Sequence, residues 1–208
     1  MPQDLNERMY GLGAEPSAIR ELFAYGLERK AQIGADKVFD FSIGNPSVPA
    51  PHAVKQAIIE LAEMDPVELH GYTPAQGLYA TRKAVADNIR RRFGVPATPE
   101  NVYMTAGAAA SLGIAFQAVS VPGEETITIA PFFPEYRTFV ESAQCTLVPV
   151  PARASDFQID ISAVEAAINE KTRAVLINTP NNPTGAVYSR ENLEALAALL
   201  TRKEQELG

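Results

Sequence analysis

From residue 101 onward, short apolar segments alternate with longer helical ones, and this alternation restricts the possible folds more than any other feature. Helices are predicted between the apolar segments and over 190–206. Strands that alternate with helices favour an α/β fold with a mostly parallel sheet flanked by helices, because parallel strands need long crossover connections. The predicted strands are 102–104, 126–130, 146–150 and 173–178.

One apolar run and three single residues in this part of the chain have predicted structural roles. The apolar run 173–178 is typical of a strand buried on both faces. Asp160 and Ser189 stand immediately before apolar helical patterns and are predicted N-caps. Cys145 is predicted to be a small core residue.

The part of the chain before residue 100 has a less regular pattern, which is mainly helical. Helices are predicted from Pro16 to about residue 33, from Pro51 onward, and over about 76–93. Between the first two lies the short alternating segment 38–43, which ends in the turn signal Gly44-Asn45-Pro46. The first 45 or so residues therefore resemble a separate arm or part of a smaller domain.

Composition and charge exclude several function classes. The chain has 208 residues with 18 basic and 25 acidic side chains, and this net charge of −7 argues against a nucleic-acid partner. The lone cysteine excludes an internal disulfide and a multi-cysteine metal site, and we expect no metal. No apolar run approaches the roughly 20 residues that span a bilayer. The polar residues 1–8 lack a signal-peptide core, so we expect a cytoplasmic protein.

Three loops follow predicted strands, where ligands of open α/β sheets bind. Loop 105–111 has small residues at a helix N-terminus. Either the backbone N–H groups of this loop bind an anion, or the loop is simply a close-packed turn between strand and helix. Loop 131–136 contains aromatic residues that either stack on a planar ring or belong to the core. Loop 178–185 holds three asparagines in a frame stiffened by two prolines, which suits fixed hydrogen bonds to a small polar ligand.

The order of residues in the last loop, Asn-x-Pro-x-Asn-Pro-Thr-Gly, resembles a known family. This family is the pyridoxal-phosphate-dependent aminotransferases of the aspartate aminotransferase fold, class I/II. Gly44-Asn45-Pro46 resembles the family's early Gly-x-Pro, and residues 72–77 resemble its Tyr-x-x-x-x-Gly motif. The motifs occur in family order and the resemblance covers about 16–208. It implies the large domain of the pyridoxal-phosphate-dependent transferase fold type I.

The resemblance implies that pyridoxal 5′-phosphate is the cofactor and that one loop and one ring hold it. Gly107, Ala108 and Ala109 match the loop that binds the cofactor phosphate through backbone amides. Many members carry a hydrogen-bonding or basic side chain at the position of Ala109. Phe133 matches the aromatic that stacks on the pyridine ring, where phenylalanine replaces the family's tryptophan or tyrosine.

Four further residues receive roles from the same resemblance. Asn182 matches the asparagine that contacts the cofactor's ring oxygen and the substrate carboxylate, and Asn178 matches a polar position close to the ring. The backbone of Gly44 matches the glycine that meets the substrate carboxylate. Tyr72 matches the tyrosine that reaches across a homodimer interface to the partner's cofactor phosphate.

The catalytic residues of the family cannot be placed in this chain. They are the Schiff-base lysine in a Ser-x-x-Lys context, the aspartate that pairs with the pyridinium nitrogen, and the arginine that binds the substrate carboxylate. We interpret all six lysines as surface residues and therefore assign no catalytic residue. These lysines are Lys30, Lys37, Lys55, Lys83, Lys171 and Lys203.

The sequence therefore predicts the N-terminal half of a homodimeric enzyme that transfers an amino group between an amino acid and a 2-keto acid. Residues 1–48 are assigned to an N-terminal arm and part of a small domain. Residues 49–208 are assigned to the N-terminal part of the large cofactor-binding domain. The isolated chain is expected to be inactive. Two alternatives stay open: a non-catalytic fragment or half of a split enzyme, and a pyridoxal-phosphate-dependent lyase within the same family.

Overall fold

The computed structural model describes residues 7–14, 18–44 and 48–207. Pro16, Asn45 and Pro46, which have predicted helix-start or turn roles, lie outside these ranges. The chain forms two compact units, Met1–Tyr103 and Met104–Gly208. The domain boundary assigned between residues 48 and 49 stays a prediction. Within the described ranges, no helix is both long and apolar enough to cross a bilayer.

The first unit is helical. Asp65 begins one of its helices because its side chain accepts hydrogen bonds from the N–H groups of Val67 and Glu68, at 2.9 and 3.2 Å. Another helix ends at Gly94, which adopts the left-handed conformation with φ 68°. The helices are α1 (Glu7–Ala14), α2 (Ala18–Ile33), α3 (His52–Ala62), α4 (Pro66–His70) and α5 (Tyr79–Phe93), with 3₁₀ turns at Ala35–Lys37 and Pro99–Asn101.

The strand predicted at 102–104 is not formed, and this prediction is wrong. Val102 has extended dihedral angles, but residues 102–104 pair with no strand among the described residues. Tyr103 and Met104 are exposed. A segment forms a β-strand only where an adjacent strand completes its hydrogen-bond ladder. The apolar pattern of three residues does not specify which strand that is.

The second unit confirms the predicted α/β fold, with a parallel sheet flanked by helices. Asp160 Oδ1 accepts from the N–H of Ala163 at 3.0 Å, and Ser189 Oγ accepts from the N–H of Asn192 at 3.1 Å, so both predicted caps are confirmed. The elements are α6 (Ala108–Val119), β1 (Glu125–Ala130), α7 (Tyr136–Ser142), β2 (Thr146–Pro151), α8 (Ile161–Ala167), β3 (Thr172–Leu176) and α9 (Arg190–Leu207).

The three described strands are parallel, and β1 lies in the centre in the order β2-β1-β3. From β1 the chain passes through α7 to β2 on one side. It then passes through α8 to β3 on the other side of β1. Because crossover connections are right-handed, two crossovers in opposite directions place their helices on opposite faces of the sheet. The strand order thus reverses at β1, and ligands of open α/β sheets bind beside such a reversal.

An apolar core lies on each face of this sheet. Side chains alternate between faces along a strand, so Ile127 and Ile129 share one face of β1, whereas Leu147 of β2 lies on the other. One core contains Ile127, Ile129, Val150, Ile159, Val164, Tyr188, Leu196 and Leu199. The other contains Phe116, Tyr136, Val140, Leu147 and Cys145, and it confirms Cys145 as a core residue.

The prediction that segment 173–178 is buried on both faces is wrong. The strand β3 covers Thr172–Leu176 and is half-buried, with Arg173 exposed. Within the described residues β3 is an edge strand, whereas the central strand β1 has four consecutive buried residues. A run of apolar residues predicts that a strand can be buried, but its neighbours decide whether it is.

Candidate functional site

The loops that follow β1 and β3 meet at the carboxyl edge of the sheet. Asn181 Nδ2 donates a hydrogen bond to the backbone oxygen of Pro131 at 3.1 Å. This bond joins the aromatic loop 131–136 to the asparagine loop 178–185, which lie 50 residues apart in sequence. Two of the three candidate loops therefore form one surface, beside the strand where the order reverses.

The loop before α6 lies at the same edge. The last turn of α6 lies near the amino end of β3, because Arg173 Nε donates to the oxygen of Val119 at 2.6 Å. A helix of 12 residues spans about 18 Å, close to the length of a six-residue strand. Leu112, near the start of α6, packs in the same apolar cluster as Phe132 and Phe133. The first turn of α6 is therefore near the aromatic loop.

The first turn of α6 has the geometry of an anion site. Gly107 is its N-cap, with φ 90° and ψ 173°, and no described side chain caps the helix. The hydroxyls of Thr105 and Ser111 are hydrogen-bonded to each other at 2.6 Å, and they lie 3.1 and 3.4 Å from the oxygen of Gly107, to which the remaining hydroxyl proton is donated. The N–H groups of Ala108 and Ala109 thus stand at the positive end of an exposed helix.

Phe133 is held by a neighbouring ring. Phe133 and Tyr136 meet edge to face, with centroids 5.7 Å apart and an interplanar angle of 84°. Phe132 lies nearly parallel to the same tyrosine at 6.4 Å. Both phenylalanines are half-buried, so each keeps part of its surface accessible, while burial raises the pKa of Tyr136. The anchoring role of Tyr136 was not predicted, although its position in the aromatic loop was the available signal.

The three asparagines of loop 178–185 have different environments. Asn178 is half-buried, and its Oδ1 accepts from the N–H of Asn182 at 2.8 Å. The side chain of Asn182 is exposed at the edge. Asn181 is 8% exposed, and its Nδ2 also donates to Thr184 Oγ1 at 2.9 Å. No individual role was predicted for Asn181, because it occupies a variable position of the motif. Its place between two prolines was the available signal.

The same loop makes further hydrogen bonds through its backbone and through Thr179. The N–H of Asn181 donates to the oxygen of Ala186 at 2.8 Å, and that of Gly185 donates to the oxygen of Asn181 at 2.7 Å. The N–H of Tyr188 donates to Thr179 Oγ1 at 3.1 Å. The loop is consequently ordered by its own contacts, and Asn182 is presented on a stiff frame.

The other two candidate residues belong to the first unit. Gly44 is exposed, at the end of segment 38–44, and a Cβ there would meet no atom within 4 Å. Tyr72 is fully exposed. Its loop is closed by a turn in which the N–H of Gly77 donates to the oxygen of Pro74 at 2.8 Å. Arg82 Nε donates to the oxygen of Gly77 at 3.1 Å and supports that turn.

The lysines are mostly exposed, as predicted, but two are half-buried in ion pairs. Lys30 Nζ lies 2.8 Å from Asp40 Oδ2, and Lys203 Nζ lies 2.8 Å from Glu206 Oε2. The second unit contains Lys203 and Lys171. Lys171 immediately precedes β3, and Lys203 lies near the end of α9, beside the same end of that strand. Both therefore lie at the amino edge of the sheet, opposite the three loops.

No candidate metal centre was found in the described part of the chain. There, no group of three or more His, Cys, Asp or Glu residues could hold a metal ion. Asp156 pairs with Arg153 at 2.7 Å and also accepts from the N–H of Gln158 at 3.1 Å. Hydrogen bonds from Ser162 and from the N–H of Ala163 lower the pKa of Asp160.

The fold and the loop edge define an α/β domain of the kind that binds a ligand beyond the carboxyl ends of its strands. Residues 36–205 match the family described as aminotransferase class I and II, and the chain belongs to this family. The family uses pyridoxal phosphate.

Individual relatives are similar over nearly the whole chain. The aspartate/prephenate aminotransferase of Thermus thermophilus is 37% identical over 89% of this chain and 47% of its own length. An aminotransferase from Eubacterium rectale has a crystal structure with 52% identity and a TM-score of 0.94, covering 99% of this chain and 52% of that one. The structure of Thermus thermophilus aspartate aminotransferase with maleate gives a TM-score of 0.80 at 33% identity, covering 95% and 50%. The chain spans about half the length of these relatives.

Proposed function

We propose that this chain is the amino-terminal half of a pyridoxal-phosphate-dependent enzyme that transfers an amino group between an amino acid and a 2-keto acid. The observation that carries the proposal is the meeting of three loops at the carboxyl edge of the sheet, where Asn181 joins the loops of β1 and β3. The names of the relatives support amino transfer as the reaction.

The first turn of α6 would hold the cofactor phosphate. Its residues fit a phosphate because Gly107 leaves the N-terminus open, and the N–H groups of Ala108 and Ala109 lie at the positive end of the helix. The hydroxyls of Thr105 and Ser111 brace the oxygen of Gly107 and keep the turn in place. Without a basic side chain at position 109, backbone amides supply this contact.

The aromatic and asparagine loops would hold the ring and the substrate. Phe133 offers a ring face whose orientation is set by Tyr136. Asn182 would donate its side-chain N–H to the cofactor's ring oxygen and to the substrate carboxylate, with its backbone fixed by Asn178. When bound, the cofactor supplies an electron sink for the chemistry at the substrate's α-carbon.

Two residues of the first unit also have proposed roles in a homodimer. The backbone of Gly44 would meet the substrate carboxylate, and the exposed Tyr72 would reach the partner's cofactor phosphate. Residues 1–48 would belong to the arm and small domain, and 49–208 to the large domain of a cytoplasmic enzyme. The base, the partner of the pyridinium nitrogen and the carboxylate-binding arginine would come from the remaining half.

Product analysis of the full-length protein tests the reaction. With an amino acid and a 2-keto acid present, we expect the added keto acid to be converted to its amino acid. The donor amino acid should be converted to its own 2-keto acid in an equal amount. A lyase would instead release ammonia together with pyruvate. A full-length protein that binds the cofactor but gives neither pair of products would contradict amino transfer.

Gly107→Ala tests the phosphate site in the chain itself. Gly107 has φ 90° and ψ 173°, a region open essentially to glycine alone. A Cβ there costs about 1–3 kcal/mol, so we expect pyridoxal phosphate to bind about 10- to 100-fold more weakly. Equilibrium dialysis with the cofactor measures this change. Gly113→Ala, in the same helix and with open space around it, is the matched control, and equal affinities of the two variants would refute the site.

A further inference from the structure

We propose that Asp40 is a positioning residue, which holds segment 38–44 against helix α2 through its ion pair with Lys30. We name this contact the Lys30–Asp40 clamp. The inference rests on the proposed function, in which the backbone of Gly44 meets the substrate carboxylate. It deepens that function by identifying the residues that orient Gly44.

The carboxylate of Asp40 uses both oxygens. Oδ2 accepts from Lys30 Nζ at 2.8 Å, which ties the segment to α2. Oδ1 accepts from the N–H and the Oγ of Ser42, at 3.0 and 2.6 Å, which fixes the segment's own backbone. The side chains of Asp40 and Lys30 are 13% and 31% exposed, so the pair is partly shielded from water. Such a pair has a larger effect than an exposed one.

Apolar burial does not hold residues 39–44. Phe39 and Phe41 are 83% and 92% exposed, so neither ring is buried. Among the described residues, the backbone of 39–44 makes no hydrogen bond to another backbone group. The polar contacts of Asp40 therefore account for the position of the segment.

Helix α2 is shaped to receive this carboxylate. Gly26 is buried in the middle of the helix, and a Cβ built on it would lie 2.8 Å from Asp40 Oδ2. The carboxylate thus occupies the space that a side chain would take. The hydrogen bonds from Lys30 and Ser42 hold the pKa of Asp40 well below its usual value of 3.8, so the carboxylate stays charged at neutral pH.

Gly26→Ala is the discriminating variant. It keeps both charges and raises helix propensity by about 1 kcal/mol, yet its Cβ displaces the carboxylate. In the full-length protein we expect the KM for the amino acid to rise about tenfold, with kcat little changed, because a contact made equally to substrate and transition state affects binding alone. Gly11→Ala in α1, where a Cβ meets nothing within 4 Å, should leave both constants unchanged.

Amide hydrogen exchange in the 208-residue chain tests the clamp without reference to activity. In Gly26→Ala and in Lys30→Met, we expect the amide of Ser42, which donates to Asp40 Oδ1, to exchange about tenfold faster, the scale of losing a hydrogen bond to a charged group. Lys30→Arg keeps the charge and should restore slow exchange. Lys37→Met, at an exposed lysine close by in sequence, is the matched control.

The two measurements separate the possible failures. Unchanged exchange in Gly26→Ala and Lys30→Met would show that the clamp does not hold the segment, whatever the protein does. Faster exchange with an unchanged KM would show that the segment does not position the substrate. If the full-length protein without substitutions transfers no amino group, the proposed function and the substrate contact are both wrong. The exchange measurements would still test whether the Lys30–Asp40 clamp holds the segment.

Discussion

The 208-residue chain by itself is expected to show no measurable amino transfer, whichever amino acid and 2-keto acid are offered. The reaction needs a lysine amine beside the cofactor to move a proton at the substrate's α-carbon. In the second unit, Lys171 precedes β3, a strand of five residues that spans about 16 Å, and the loops lie beyond its other end. Lys203 lies at the same amino edge, paired with Glu206.

Assay of the purified chain with excess pyridoxal phosphate, an amino acid as donor and a 2-keto acid as acceptor tests this expectation. The full-length protein at the same concentration is the positive control, and addition of the carboxyl-terminal half should restore turnover if the halves assemble. Transfer by the isolated chain would contradict the expectation. In that event Lys171→Met and Lys203→Met would show whether a lysine of the second unit supplies the amine.

Replacing Ile127 by alanine is expected to destabilise the second unit by about 2–5 kcal/mol. Ile127 is 0% exposed in the central strand and packs in the core formed with α8 and α9. Removing its outer methyl groups leaves a cavity that the flanking strands β2 and β3 cannot close without breaking the sheet. Because whole domains are stable by about 5–15 kcal/mol, the loss is a large share of the total.

Urea unfolding followed by circular dichroism measures the effect as a lower midpoint at an unchanged slope. Ile114→Ala is the matched control because Ile114 is 54% exposed on α6. That variant should change stability by less than about 0.5 kcal/mol. If both variants unfold at the same urea concentration, Ile127 does not belong to the packed centre of the unit.

Local patterns predicted the second unit well. The short apolar segments at 126–130 and 146–150 form β1 and β2, as predicted. Short runs of apolar, β-branched residues are typical of strands whose two faces are covered by helices. Asp160 and Ser189 cap α8 and α9 as predicted, since an N-cap bond joins groups within three residues. Motif order was also sufficient to identify the family.

Features that depend on a distant partner were predicted poorly. The segment 102–104 lacked a ladder partner, and β3 proved to be an edge strand among those described. The hydrogen bond from Asn181 to Pro131 joins residues that are 50 positions apart in sequence, so no local pattern predicts it. The Lys30–Asp40 clamp spans only ten residues, but it depends on the direction in which segment 38–44 passes over α2.

The sequence by itself determined the class of fold, the N-caps of α8 and α9, the family and the loops that carry the candidate residues. These depend on spacing and on contacts between near neighbours, which a linear pattern contains. Only the tertiary structure decided which strand is central, that Asn181 joins two loops, and that Asp40 lies over Gly26. Those facts depend on contacts between residues that are distant in sequence. Such contacts are determined by the packing of whole helices and strands, which no local pattern specifies.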